Sequence, residues 1–181
     1  MEIRRGIFLC LTLVLTACGA DGSTATLPSE PASPTTIGAA GDVACPLTIP
    51  PDPPFVPPAP YPPEAPDLYQ KVWYGNSRLW TMLAPEGEVW TGLPRHHGTF
   101  GEKTFWWSHG YPPRNEPPPI TVTGRRLDRP GSFETRGGSG GFRHDIRSFM
   151  LVGIEIPTAG CWELTATYED AQLSYVVLIE D

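Results

Sequence analysis

The hydrophobic pattern divides the chain into three unlike stretches. Residues 6–16 are an almost unbroken apolar run preceded by Arg4 and Arg5. Residues 19–66 show no periodicity: Ala, Gly, Ser, Thr and Pro dominate to residue 41, and prolines crowd residues 46–66. From residue 68 the apolar positions recur with period two, the period of strands and not of helices.

The third stretch predicts an all-β domain. Residues 78–83 form a short run stopped by Ala84-Pro85-Glu86-Gly87, a turn signal, and residues 88–91 are expected to return as its hairpin partner. Residues 103–107 are a third run, ended by a loop over 110–119, and Ile120-Thr121-Val122-Thr123 alternates as a half-buried strand does. Residues 132–136 read as a weak edge strand and the glycine-rich 137–141 as a mobile loop. Residues 148–156 are a continuous apolar-rich strand. In residues 161–168 Trp162, Leu164, Ala166 and Tyr168 share one face, and residues 173–179 are rich in β-branched and aromatic side chains. Seven or eight short strands with turns every ~8–12 residues predict an immunoglobulin-like β-sandwich, with a small β-barrel as the alternative.

The first run is too short for a bilayer core, which needs ~20 apolar residues, and fits the hydrophobic region of an export signal. It ends in Leu15-Thr16-Ala17-Cys18, which resembles a bacterial lipobox. The resemblance implies cleavage before Cys18 and a diacylglyceryl thioether on its sulfur; two or more acyl chains anchor a protein stably where one does not. An ordinary secretory signal with an incidental cysteine is the alternative. The expected organisation is a signal over residues 1–17, a lipidated tether over 18–67 and a β-sandwich over 68–181. Proline-dense chain forms neither helix nor ladder and prefers extended polyproline II, so residues 46–66 read as a spacer from the membrane. The expected location is the cell membrane or outer membrane, facing away from the cytoplasm.

Of four cysteines, Cys10 leaves with the signal and Cys18 takes lipid. Cys45 and Cys161 remain, and in an exported chain two cysteines suggest one disulfide; two independent thiols are the alternative. With Trp162 and Leu164 facing inward, Cys161 faces outward. A bridge to Cys45 then straps the proline segment over the outside of a sheet, unlike the internal bridge of antibody domains.

Several segments together resemble a family of uncharacterised bacterial secreted proteins and lipoproteins with a late GCWE signature. They are Cys45-Pro46-Leu47-Thr48-Ile49-Pro50, Gly75-Asn76-Ser77-Arg78-Leu79-Trp80-Thr81, Phe105-Trp106-Trp107, residues 120–128, and residues 154–163 ending Gly160-Cys161-Trp162-Glu163. The resemblance spans residue 45 onward and implies pairing of the early CP cysteine with the late GCW cysteine. It implies no catalytic residue.

Charge and composition narrow the partners. A formal net charge of −7 argues against nucleic acid, whose phosphates require a basic face. No GxSxG elbow is present, and the spacing of Asp128, Glu155 and Glu163 pairs no carboxylates for glycoside hydrolysis. No cofactor is implied. His96, His97 and His109, with His144-Asp145, are the candidate ligands for copper or zinc, although adjacent histidines on an extended chain point to opposite sides. The aromatic group Trp90, Trp106 and Trp107 is the stronger candidate: exposed rings stack on sugars and dominate binding hot spots, whereas buried ones cap a thin core. Adjacent Trp106 and Trp107 must face opposite ways, so one belongs at the surface or under a loop. Arg125 and Arg126 with Asp128 read as a strand-end salt bridge, or else as an anion clamp. The sequence therefore predicts a lipid-anchored, non-catalytic envelope module that binds a glycan or an envelope protein, with metal handling through the loop histidines as the alternative.

Overall fold

The longest alternating run forms the centre of the fold. Strands β10 (Gly160–Tyr168) and β11 (Ala171–Ile179) make a hairpin paired from Gly160↔Ile179 to Tyr168↔Ala171. Trp162, Leu164, Ala166 and Tyr168 all turn to the buried side. The computed structural model describes residues 44–67, 70–112 and 117–181; the apolar N-terminal run, Cys18 and the tether up to residue 43 lie outside them. Among the described residues there are eleven strands and no helix.

The other strands are β1 (Val72–Gly75), β2 (Trp80–Leu83), β3 (Glu88–Trp90), β4 (Arg95–His96), β5 (Thr99–Trp106), β6 (Ile120–Arg126), β7 (Ser132–Arg136), β8 (Ser139–Arg143) and β9 (Arg147–Ile156). One sheet has the order β3-β11-β10-β6-β7, the other β4-β5-β9-β8. From β4 to β11 the chain crosses between the layers after β5, β7 and β9, an order of immunoglobulin type: β4, β5, β8 and β9 lie in one sheet, β6, β7, β10 and β11 in the other. The two described sheets do not close into a barrel. The hairpin β1-β2 extends the second sheet through a bridge between Trp80 and Trp107, with N–H···O bonds of 2.9 Å in both directions.

Three local expectations fail, each for a stated reason. The turn at residues 84–87 exists, closed by Gly87 N–H on Ala84 O at 3.0 Å, but β3 does not return to β2. It crosses to the other sheet and pairs parallel with β11, from Val177↔Glu88 to Ile179↔Trp90. The glycines of 137–141 do not make a mobile loop; from Ser139 they belong to edge strand β8. Their role is close approach: a Cβ on Gly138 would lie 2.5 Å from Leu151 O, and one on Gly141 2.4 Å from the Phe149 ring.

The third correction concerns the proline segment, which from residue 44 is part of the folded body and not a spacer. The sulfurs of Cys45 and Cys161 sit at disulfide bonding distance, with Cα atoms 5.4 Å apart, closing a separation of 116 residues. Thr48 then bonds Val176 in both directions, through N–H on Val176 O at 3.2 Å and Val176 N–H on Thr48 Oγ1 at 2.8 Å. Farther on, Phe55, Tyr61 and Ala65 cover a second apolar core on the outside of the sandwich, made of Trp73, Trp80, Met82, Trp107 and Ile146. Proline suits such a cover because it brings no N–H to satisfy. Its carbonyls instead take donors from below: Pro62 O accepts Trp73 Nε1–H at 3.1 Å, and Pro60 O accepts Arg147 Nε–H at 3.1 Å.

The residues of the late signature each have a packing task. A Cβ on Gly160 would meet the Arg126 guanidinium at 2.3 Å. Cys161 meets Cys45. Trp162 fills the core and donates to Thr158 O at 3.0 Å, and Glu163 accepts Arg125 at 2.8 Å.

Candidate functional site

Burial decides among the aromatic candidates. Five of the six tryptophans are at most 1% exposed, and Trp90 alone keeps partial exposure. Trp106 lies between the sheets, its indole donating to Thr104 Oγ1 at 2.9 Å. Trp107 points outward but under the proline cover, edge-on to Trp73 at 4.9 Å, donating to Ile146 O at 2.9 Å. Neither ring is a surface platform; the alternation of β5 sends one to each core.

The other predicted residues separate. Arg126 is buried and held by Asp128 through Nε at 2.6 Å and Nη2 at 3.0 Å. This is the salt-bridge reading, and its donors are not offered to an external anion. Asp128 is held below the ordinary carboxylate range, chiefly by that guanidinium. Arg125 is exposed and paired with Glu163. His96 and His97 sit at the exposed β4–β5 turn, where His97 takes a positive φ of 50°; His109 lines a separate shallow depression with Asp170. Among the described residues no group of three His, Cys, Asp or Glu side chains is placed to hold a metal ion.

The site that the structure assembles lies in a gap along β5. On the side away from β9, β5 has a neighbour at its start, where Gly101 N–H bonds Pro94 O at 2.9 Å. It has another at its end, where the Thr81 hydroxyl bonds Phe105 O at 2.7 Å and Trp107 meets Trp80. The chain between β2 and β4 has left for the other sheet as β3. No described strand therefore pairs on this side with Glu102, Lys103 and Thr104. A cleft of about 250 Å³ opens there between the sheets, and its lining includes Lys71, Trp90, Glu102, Lys103, Thr104 and Tyr175.

Its electrostatics are set by two carboxylates in opposite conditions. Glu88, 3% exposed, accepts Ala84 N–H at 2.7 Å, Trp90 Nε1–H at 2.6 Å and Lys71 Nζ at 2.9 Å. These bonds anchor the crossing turn and fix the Trp90 ring at the cleft wall. Glu102 occupies an inward phase of β5, between Phe100 and Thr104, and makes no ion pair among the described residues. Burial pushes its carboxyl above the ordinary glutamate range; the Lys103 N–H and Lys71 pull the other way, and Glu88 adds to the rise. Tyr175 is 3% exposed and stacks obliquely on Trp106 at 5.8 Å. Its phenol is pushed far up by burial first, then by Glu88 and Glu102, and its hydroxyl, on a residue of the cleft wall, makes no hydrogen bond among the described residues.

Sequence reasoning missed Glu102, Glu88, Lys71 and Tyr175. Only Glu102 left a signal, a carboxylate on the apolar phase of a strand reading Phe100, Glu102, Thr104, Trp106. With this geometry in view, no protein-family profile, no curated protein and no solved structure matches the chain.

Proposed function

We propose that the protein is a lipid-anchored envelope lipoprotein whose immunoglobulin-like domain is a non-catalytic binding module, engaging its ligand at the gap in β5. Export and lipidation at Cys18 rest on the charged, apolar and lipobox succession of residues 4–18. The single observation that carries the binding reading is the cleft beside Trp90. It gathers the one partly exposed tryptophan, an unpaired carboxylate and an unpartnered phenol in a concave site, as small-ligand sites do. A binding role fits better than hydrolysis because Glu88 already accepts three donors, which leaves Glu102 as the one uncommitted carboxylate of the cleft.

The test follows the Trp90 indole N–H by NMR while glycan fragments and small envelope metabolites are titrated into the mature protein. A saturable shift of Trp90, lost in Trp90→Phe binding assays and retained in Arg125→Ala, is expected. Shifts that map to Arg125 and Glu163 instead would move the site to the exposed sheet face. Metabolic labelling with a radioactive fatty acid, compared between the wild type and Cys18→Ala, tests the anchor; equal labelling overturns it.

A further inference from the structure

The chemistry of the cleft goes beyond the fact of binding. A carboxylate facing the interior of a sandwich is costly unless a partner compensates it. Glu102 is half-buried and makes no ion pair among the described residues: Lys71, a cation of the cleft wall, spends its ammonium on Glu88 at 2.9 and 3.1 Å. Lys103 also lines the cleft, but it lies on the exposed phase of β5, and its backbone N–H is the group that bonds Glu102. A second, independent observation marks the same point. Tyr175 lines the cleft, and its hydroxyl makes no hydrogen bond among the described residues, so its oxygen is free to bond a ligand there. The walls beside these two groups are the rings of Trp90 and Tyr175.

A partner that repays all of this must carry positive charge and hydrogen-bond donors and must tolerate aromatic faces. Water bonds the two oxygens as well, but it brings no counter-charge to Glu102, which an organic cation does. A neutral sugar satisfies the hydroxyl and the ring faces but not the charge. An ammonium or guanidinium head meets every requirement at once: charge-assisted bonds to Glu102, a donor to the Tyr175 oxygen, and attraction to the rings, worth ~0.5–2 kcal/mol. The volume of about 250 Å³ admits such a head and a short alkyl stem.

We infer that the gap in β5 is a receptor for an organic cation, an alkylammonium or guanidinium group seated between Glu102, Tyr175 and Trp90. This inference rests on the binding reading above and names its ligand class. Two sources share that chemistry, a free amine and a basic side chain of a protein.

The experiment titrates four probes into the mature domain while following the Trp90 indole signal: cadaverine, agmatine, an acetyl-capped Gly-Gly-Lys-Gly-Gly amide and cellobiose. Saturable shifts with the cations and none with cellobiose are expected. Tighter binding of the diamines than of the peptide by tenfold assigns a free amine; the reverse assigns a basic side chain of a protein. Glu102→Gln keeps the shape of the side chain and removes its charge, and is expected to weaken cation binding at least tenfold. Tyr175→Phe removes only the hydroxyl and is expected to weaken it several-fold. Thermal unfolding of each variant shows that the fold is retained. Cellobiose shifting Trp90 where the cations do not overturns the cation inference and leaves the binding reading standing. No shift with any probe, or cation affinity unchanged in Glu102→Gln, overturns the inference as well, and silence from a wider glycan and metabolite set then overturns the binding reading too.

Discussion

Strand β5 is closed over its last residues and open at its middle, and the difference lies outside the strand. At residues 105–107 both faces are covered. Trp106 is sealed between the sheets, Trp107 is sealed beneath the proline segment and the β1-β2 hairpin, and Phe105 packs against that second core partly buried. At Glu102 and Lys103 neither side is complete. Inside, Glu102 faces the cleft; outside, a Cβ added to Gly153, opposite Lys103, would meet nothing within 4 Å. The immunoglobulin frame supplies the same neighbour, β9, along both halves. What closes one half is added chain: residues 44–67 and the hairpin, held by the bridge from Cys45 to Cys161. Where that addition ends, a site remains.

The comparison breaks most severely at the bridge. Closing a loop of this length is worth at most ~4–5 kcal/mol on the chain-entropy estimate. Cys45→Ser with Cys161→Ser is therefore expected to lower stability by up to that amount in urea unfolding and to free the strap. Protection of the Thr48–Val176 bonds in hydrogen exchange should fall with it. Unchanged exchange there would mean that the second core holds the strap unaided. Trp107→Ala attacks the closed half directly. It removes a fully buried indole and orphans Ile146 O, for an expected loss of about 3–5 kcal/mol, with the Trp90 signal of the open half unmoved.

The closed half was only partly legible in the sequence. Period-two alternation located β6 and β10, apolar and β-branched runs located β9 and β11, and parity alone required Trp106 and Trp107 to diverge. The same parity gave the outward Cys161, and with it the strap. The proline segment was misjudged because composition reports what a chain cannot form, a helix or a ladder, and not what Phe55 and Tyr61 within it cover. The path of β3 was invisible because a turn signal at residues 84–87 fixes a reversal and says nothing of which sheet receives the chain. The open half depends on that path. Lys71, Glu88 and Tyr175 meet Glu102 only because β3 crosses, so no local pattern joins them.

Glycine substitutions sharpen the contrast at smaller cost. Gly138→Ala in the tight stretch drives a Cβ against the Leu151 carbonyl, with an expected loss of about 1–3 kcal/mol. Gly153→Thr on the open stretch has room and adds a strand-favouring side chain, for an expected gain of ~0.5–1 kcal/mol. Chemical denaturation of both variants reads the difference, and equal losses would mean that the open face is covered in solution.

The smallest effect carries the sharpest distinction. Burial, ahead of the opposing Lys103 N–H and Lys71 and with the help of Glu88, holds the Glu102 carboxyl above its ordinary range. A carboxyl whose folded pKa exceeds its unfolded one is more readily protonated in the folded state, so stability falls as pH rises through that interval. Above it the charge costs its full amount, and below the ordinary glutamate range it costs nothing. Glu102→Gln should therefore stabilise the empty domain at neutral pH, by no more than ~1 kcal/mol, and the gain should vanish as the medium is acidified. A structural carboxylate such as Asp128, held low by Arg126, has the opposite sign: its contribution is present at neutral pH and is lost on acidification. Urea unfolding of Glu102→Gln across this range separates the two cases. Stabilisation at neutral pH identifies Glu102 as a group maintained at a cost to the fold, as a ligand-directed carboxylate is. Destabilisation there would place it with Asp128, and the open half of β5 would then be a packing irregularity of the sandwich and not a site.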